Sequence, residues 1–230
     1  MSILINPARL SLVASCILAS CSTHAFCQVS HWDYVPNLPH TAQVVQRDLQ
    51  TEVNGTRVQH ETRLVEARDS KGRTRIESFD SRNASCPGIV NLYDPLRRQF
   101  IQLFPGKKMA RVMTIPGTGP IPAHGLSLHA VKTKVAHLPG QTIHGLYAEA
   151  TRTTQIISAD DGHGADVVDV EETWVSPDLK VVVLWKDTST DPESDETTAE
   201  VVGLERNEPD AALFEIPADY TIVDATRGPQ

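Results

Sequence analysis

The chain of 230 residues has no apolar run approaching the roughly 18 residues of a membrane-spanning helix. It also lacks an excess of positive charge: 21 Lys and Arg face 29 Asp and Glu, a formal net charge of −8. A duplex nucleic-acid binder needs a basic footprint, so no nucleic-acid partner is expected. Cysteine is scarce, with four in all, and no Cys-x-x-Cys or His-Glu-x-x-His is present. Zinc and thiol-redox motifs are thereby excluded. Nucleophilic hydrolysis has no Gly-x-Ser-x-Gly elbow, since Gly125-Leu-Ser127-Leu-His129 carries only its first half. There is no Walker loop. The nine histidines show no zinc spacing. Asp160 to Asp166 is dense in carboxylates but does not have EF-hand spacing, so it reads as a solvated turn. No enzyme, metal or cofactor is expected.

What is present begins with an address. Arg9 is the only charged side chain before Cys21, and an apolar stretch runs from Leu10 to Ser20. Residues 1–27 read as an export signal, too short to be a membrane anchor. Leu18-Ala19-Ser20-Cys21 has the form of a bacterial lipobox, with Cys21 as the lipid-attachment residue. Ordinary cleavage after Ala25 or Cys27 fits the small residues too. The lipobox is the favoured reading, and it implies a doubly acylated, membrane-attached cysteine. The expected location is the periplasm, or the outer membrane as a lipoprotein. Cys27 and Cys86 are a candidate disulfide pair in an oxidising compartment.

Residues 28–40 read as a leader, and 41–227 as one β domain. Val45, Leu49, Thr51 and Val53 alternate with Gln46, Asp48, Gln50 and Glu52. Asn54-Gly55 is a strong hairpin signal, and the return strand alternates through Val58, His60, Thr62 and Leu64. One apolar and one charged face predict a sheet packed on one side and wetted on the other. Strands follow at 73–79, 88–93, 98–104 and 108–113, separated by turns such as Asp69–Gly72, Asp94-Pro95 and Pro105-Gly106. A Pro/Gly loop at 114–126 divides the chain into two halves. Residues 128–138 have helical spacing, but their β-branched content and Pro139-Gly140 favour an extended start to the second half. Strands are predicted at 142–154, 167–175, 180–185 and 198–206. Pro209 to Phe214 reads as one helical turn with Pro at its first position. The expected class is mainly β, with one or two short helices.

Charge is divided. Residues 44–113 carry a local +5, and residues 157–200 a local −11. Either the halves meet and neutralise each other, or the second half presents an acidic surface. Trp174 and Trp185 sit in strand contexts that suit a core, and the aromatic lining of a lipid groove has the same pattern. Together with Tyr147 they are the candidate groove-lining residues.

Four segments carry a resemblance: Gln141–Thr154, Glu172–Leu179, Asp191–Thr198 and Glu208–Tyr220. Their Trp-x-Ser-Pro-Asp-Leu and Leu-Phe-x-Ile-Pro-Ala-Asp-Tyr patterns resemble a family of uncharacterised, secreted bacterial proteins. The strand order is more distantly similar to the lipoprotein-carrier and sigma-regulator superfamily of LolA, LolB and RseB types. That resemblance implies a curved antiparallel sheet, an open half-barrel. The implied function is a cell-envelope binding protein that holds a lipid, an acyl chain or a lipidated partner in an apolar groove. The alternative is an envelope interaction or sensor module that recognises a protein through its acidic half or an exposed sheet edge.

Overall fold

A computed structural model describes residues 34–52, 54–79, 88–115, 130–158, 166–191, 194 and 196–224. Cys21, Cys27 and Cys86 lie outside the described residues, as do loop residues 116–129 and turn residues 159–165.

The strands are β1 (His40–Thr51), β2 (Arg57–Arg68), β3 (Thr74–Phe79), β4 (Ile89–Asp94), β5 (Gln99–Phe104), β6 (Met109–Thr114), β7 (Ala130–Ile143), β8 (Leu146–Ile157), β9 (Val167–Ser176), β10 (Val181–Ser189), β11 (Glu196–Glu205) and β12 (Thr221–Asp224). They form one open sheet in the order β12-β6-β5-β4-β3-β2-β1-β11-β10-β9-β8-β7. Every pairing is antiparallel except β12 with β6. The mainly β class therefore holds. Among the described residues, helix is limited to two 3₁₀ turns, Pro105–Lys107 and Ala211–Phe214.

The first meander follows the sequence signals. Asp69 Oδ1 caps its turn by accepting from the backbone N–H of Lys71 and Arg73, at 3.0 and 2.8 Å. Gly72, with φ +78°, supplies the left-handed residue there. Asn54 Oδ1 accepts from the Thr56 N–H at 2.7 Å, and Gly55 takes φ +83°. That is the conformation that favours Asn-Gly in hairpins.

Three expectations need correction. The strand read at 142–154 is broken by a tight turn at His144-Gly145, whose φ values of 47° and 81° suit a two-residue hairpin. Consistent with the extended start expected there, Pro139-Gly140 lies inside β7, at a register shift between Leu138 and Gln141. Proline is tolerated there because β7 is an edge strand and needs no further backbone donor. Tyr147 packs over Gly140: a Cβ built on Gly140 would lie 2.2 Å from the Tyr147 hydroxyl. The C-terminal helical turn begins after Asp210, whose carboxylate accepts from the Ala212 N–H at 2.9 Å. Pro209 therefore precedes the cap instead of opening the turn.

The third correction concerns β1. Its alternation predicts an apolar inner face and a polar outer one. In the fold, His40, Ala42, Val44, Gln46 and Asp48 are buried, while Val45 and Leu49 are half-buried. The reason is the face they share: His40, Gln46 and Asp48 stand on the same side of β1 as Ala42 and Val44, which belong to the main core. The polar side chains are tolerated because they are bonded. Gln46 Nε2 donates to both Asp48 oxygens at 3.0 Å, and Thr197 Oγ1 donates to Oδ1 at 2.8 Å.

The main core joins Ala42, Val44 and Leu64 of the first half to Trp174, Val181–Trp185, Ala199 and Val201 of the second. A smaller cluster, Val90, Leu92, Ile101, Leu103 and Ala110, lies on β4–β6 beneath Ile216 and Tyr220.

Candidate functional site

Strand pairing assigns side chains to faces, because successive residues point to opposite sides. Glu200, Val45, Arg63 and Phe79 stand side by side across β11, β1, β2 and β3. The next row on the same face is Gly203, Gln43, Val65 and Glu77. Between these rows β1 and β11 slip register by one residue, so Val202 is extra and turns outward. It is 41% exposed.

Two structures overhang this face. The tip of the β7–β8 hairpin places His144 Nε2 3.3 Å from Glu200 Oε2. In a flat sheet β8 would lie about 14 Å from β11, at roughly 4.8 Å per strand. The hairpin must therefore curl over the face, and the register shift in β7 marks where it bends. Leu138, Ile143 and Leu146 pack down onto the core as it does so.

On the other side, residues 208–224 cross β3–β6 as a strap. Arg75 Nη1 donates to the Leu213 carbonyl at 2.8 Å, Arg73 Nη1 meets Glu215 at 2.8 Å, and the Arg73 guanidinium lies 4.9 Å from the centre of the Phe214 ring. Lys108 Nζ lies 2.9 Å from Asp219. The middle of this face is thus walled on both sides.

A groove of about 400 Å³ lies in that middle, lined by Gln43, Val44, Val45, Arg63, Leu64, Val65, Phe79 and Val202. Val45, Val65, Phe79 and Val202 present apolar side chains to it, whereas Val44 and Leu64 turn to the opposite face as part of the main core. Its volume falls at the small end of ligand sites, about 300–1,000 Å³. One end is fenced by an ion network: Arg47 lies 2.6 Å from Glu200 and 3.5 Å from Glu61. The hydrogen bond from Arg47, aided by that from His144, holds the Glu200 carboxyl below its ordinary range against the opposing pull of burial. With Arg57–Glu196 at 2.5 Å, these contacts tie the basic first half to the acidic second half. Of the two expectations for the divided charge, mutual neutralisation is visible along β1–β11.

A second cleft, about 450 Å³, lies beneath the strap and includes Leu92, Ile101, Val112, Ile216 and Ile222. Its most buried arginine, Arg73, is already engaged by Asp69 and Glu215. The apolar groove is the better candidate for a ligand, because its described lining is mostly apolar and carries one charge, Arg63.

Neither cleft is lined by Trp174, Trp185 or Tyr147. Trp174 lies opposite Leu184, the residue next to Trp185, so the two indoles leave the sheet on opposite faces. Both are core residues, 8% and 1% exposed. Tyr147 is half exposed over Gly140. Of the residues that do line the groove, Val45 stood in the apolar set read from β1. The Val202-Gly203 bulge has no local sequence signal.

No protein-family model matches the sequence, and no curated protein matches it. Among solved structures the chain is distantly similar to MucB of Pseudomonas aeruginosa in its complex with MucA. Identity is 12% and the TM-score 0.45, covering 81% of this chain and 58% of that one. This chain thus spans less than two thirds of MucB. A LolA superfamily protein from Nitrosomonas europaea matches at 8% identity and a TM-score of 0.38, over 79% of this chain and 92% of that one. A DUF1329 family protein from Desulfovibrio piger matches at 10% identity and a TM-score of 0.33, over 77% and 90%.

Proposed function

We propose that this protein is an exported cell-envelope binding protein that holds an acyl chain, free or on a lipidated partner, in the groove between the hairpin tip and the strap. The observation that carries this reading is the groove itself: the apolar side chains of Val45, Val65, Phe79 and Val202 at the centre of a sheet face otherwise fenced by ion pairs. Each methylene transferred from water into such a site contributes about 0.8 kcal/mol. A binding role of this kind needs no catalytic residue.

Uptake of a pyrene-labelled fatty acid by the delipidated protein tests it. The wild type should bind the probe with saturable fluorescence. Val202→Asp should weaken binding by at least about tenfold, because it places an unpaired carboxylate against the acyl chain. The bulge already exposes Val202, so the fold should tolerate the change. Absence of saturable uptake by the wild type would sink the reading.

Export and anchoring belong to the same proposal. The lipobox motif supports acylation of Cys21. Metabolic labelling with a palmitate analogue should mark the wild-type chain and not Cys21→Ala; equal labelling of both would refute the anchor.

A further inference from the structure

We infer that the groove selects a single-chain amphiphile with an anionic head, a carboxylate or phosphate, and that Arg63 holds that head. This rests on the acyl-groove reading above and names the ligand class it takes.

Among the described residues that line the groove, Arg63 alone is charged. Its place is fixed by register: it stands on β2 directly between Val45 and Phe79, two of the groove's apolar side chains. The head of a bound chain would therefore meet the guanidinium without leaving the apolar surface.

The guanidinium is also weakly engaged. Its contact among the described residues is Glu61 Oε1, 3.8 Å from Nε, and the other oxygen of Glu61 faces Arg47 at 3.5 Å. By contrast Arg47, Arg57, Arg73, Arg75 and Arg152 each lie 2.5–2.7 Å from a carboxylate oxygen. The Arg63 side chain is 73% exposed. A guanidinium presents five N–H donors in a planar fork, which matches a carboxylate or phosphate bidentately. A neutral ester or alcohol cannot answer that fork with charge. The groove's modest volume suits one chain better than two.

The test compares pyrene-labelled dodecanoic acid with its methyl ester on the full exported chain. The acid should bind about tenfold tighter, the scale of one charge-assisted pair. Arg63→Gln should bring the acid down to the affinity of the ester and leave the ester unchanged. Dodecanoate or dodecyl phosphate should displace the probe at lower concentration than dodecanol, and the better of the two identifies the head. Equal binding of acid and ester by the wild type, a preference that survives Arg63→Gln, or displacement by dodecanol as efficient as by the anions would overturn the role of Arg63 and leave the acyl groove standing. Failure of both probes to bind would overturn the two together.

Discussion

Trp185→Ala is expected to cost about 3–5 kcal/mol of unfolding free energy, read as a lowered midpoint in urea. Trp185 is the largest fully buried side chain, at 1% exposure. It stands on β10 between Ala199 of β11 and Thr173 of β9. Those small neighbours make room for the indole, so alanine would leave a cavity that neither can fill. The indole Nε1 is buried and has no acceptor among the described residues. Trp185→Phe therefore discards a polar group that was not bonded and should cost much less, about 1–2 kcal/mol for lost volume. An alanine variant as stable as the wild type would show that this face is not a packed core.

The second large effect is expected at Arg68, which is fully buried. Its Nε donates to the Leu38 carbonyl at 3.1 Å, Nη1 to that of Lys180 at 3.3 Å, and Nη2 to that of Leu179. One side chain on β2 thus clasps the segment entering β1 and the turn between β9 and β10. Burial lowers the pKa of the guanidinium, and nearby Glu66 offsets part of that shift. Arginine stays charged under any such pull. Arg68→Met should destabilise by about 3–5 kcal/mol, because it removes a nearby positive charge from the buried Glu66, whose Oε1 lies 3.4 Å from His40 Nε2, and leaves three carbonyls without that donor. Adding Glu66→Gln to Arg68→Met should recover part of the loss, since the uncompensated charge goes too. A double mutant no more stable than Arg68→Met would assign the loss to the carbonyl clasp instead.

These two residues show what was legible in the sequence and what was not. Period-two alternation and turn chemistry located most strands of both meanders, because both signals are local. Trp185 sits in an apolar run whose reading as core needed only hydrophobicity. Arg68 lies just past the alternating run of the return strand and carries no local sign of burial. Its burial depends on the turn at 177–180, more than a hundred residues away, arriving above it. The polar set of β1 misled for the same reason: which face of a strand is covered depends on what lies across it. The hairpin turn at His144-Gly145 has only a weak signal, His-Gly, and falls inside the run that reads as one strand at 142–154.

The groove was least legible. Its lining comes from β1, β2, β3 and β11, so it exists only after the two halves meet. Val45 belongs to the apolar set of the first strand, and nothing local to Arg63 or Val65 marks a groove. The aromatic residues that suggested a groove are engaged elsewhere, two in the core and one over a glycine.

The strand order has a consequence for how the chain finds this shape. Nine of the eleven pairings join strands adjacent in sequence, the exceptions being β1–β11 and β12–β6. Hairpins and meanders close short loops, so each half can form from local encounters at small entropic cost. The β1–β11 seam must instead draw together residues such as Val44 and Val201. High contact order of this kind slows folding, and until the seam closes both inner strands present unpaired edges. The proposed groove, the charge neutralisation and the longest-range pairing therefore coincide in one seam, so the groove takes shape only once the two halves have met.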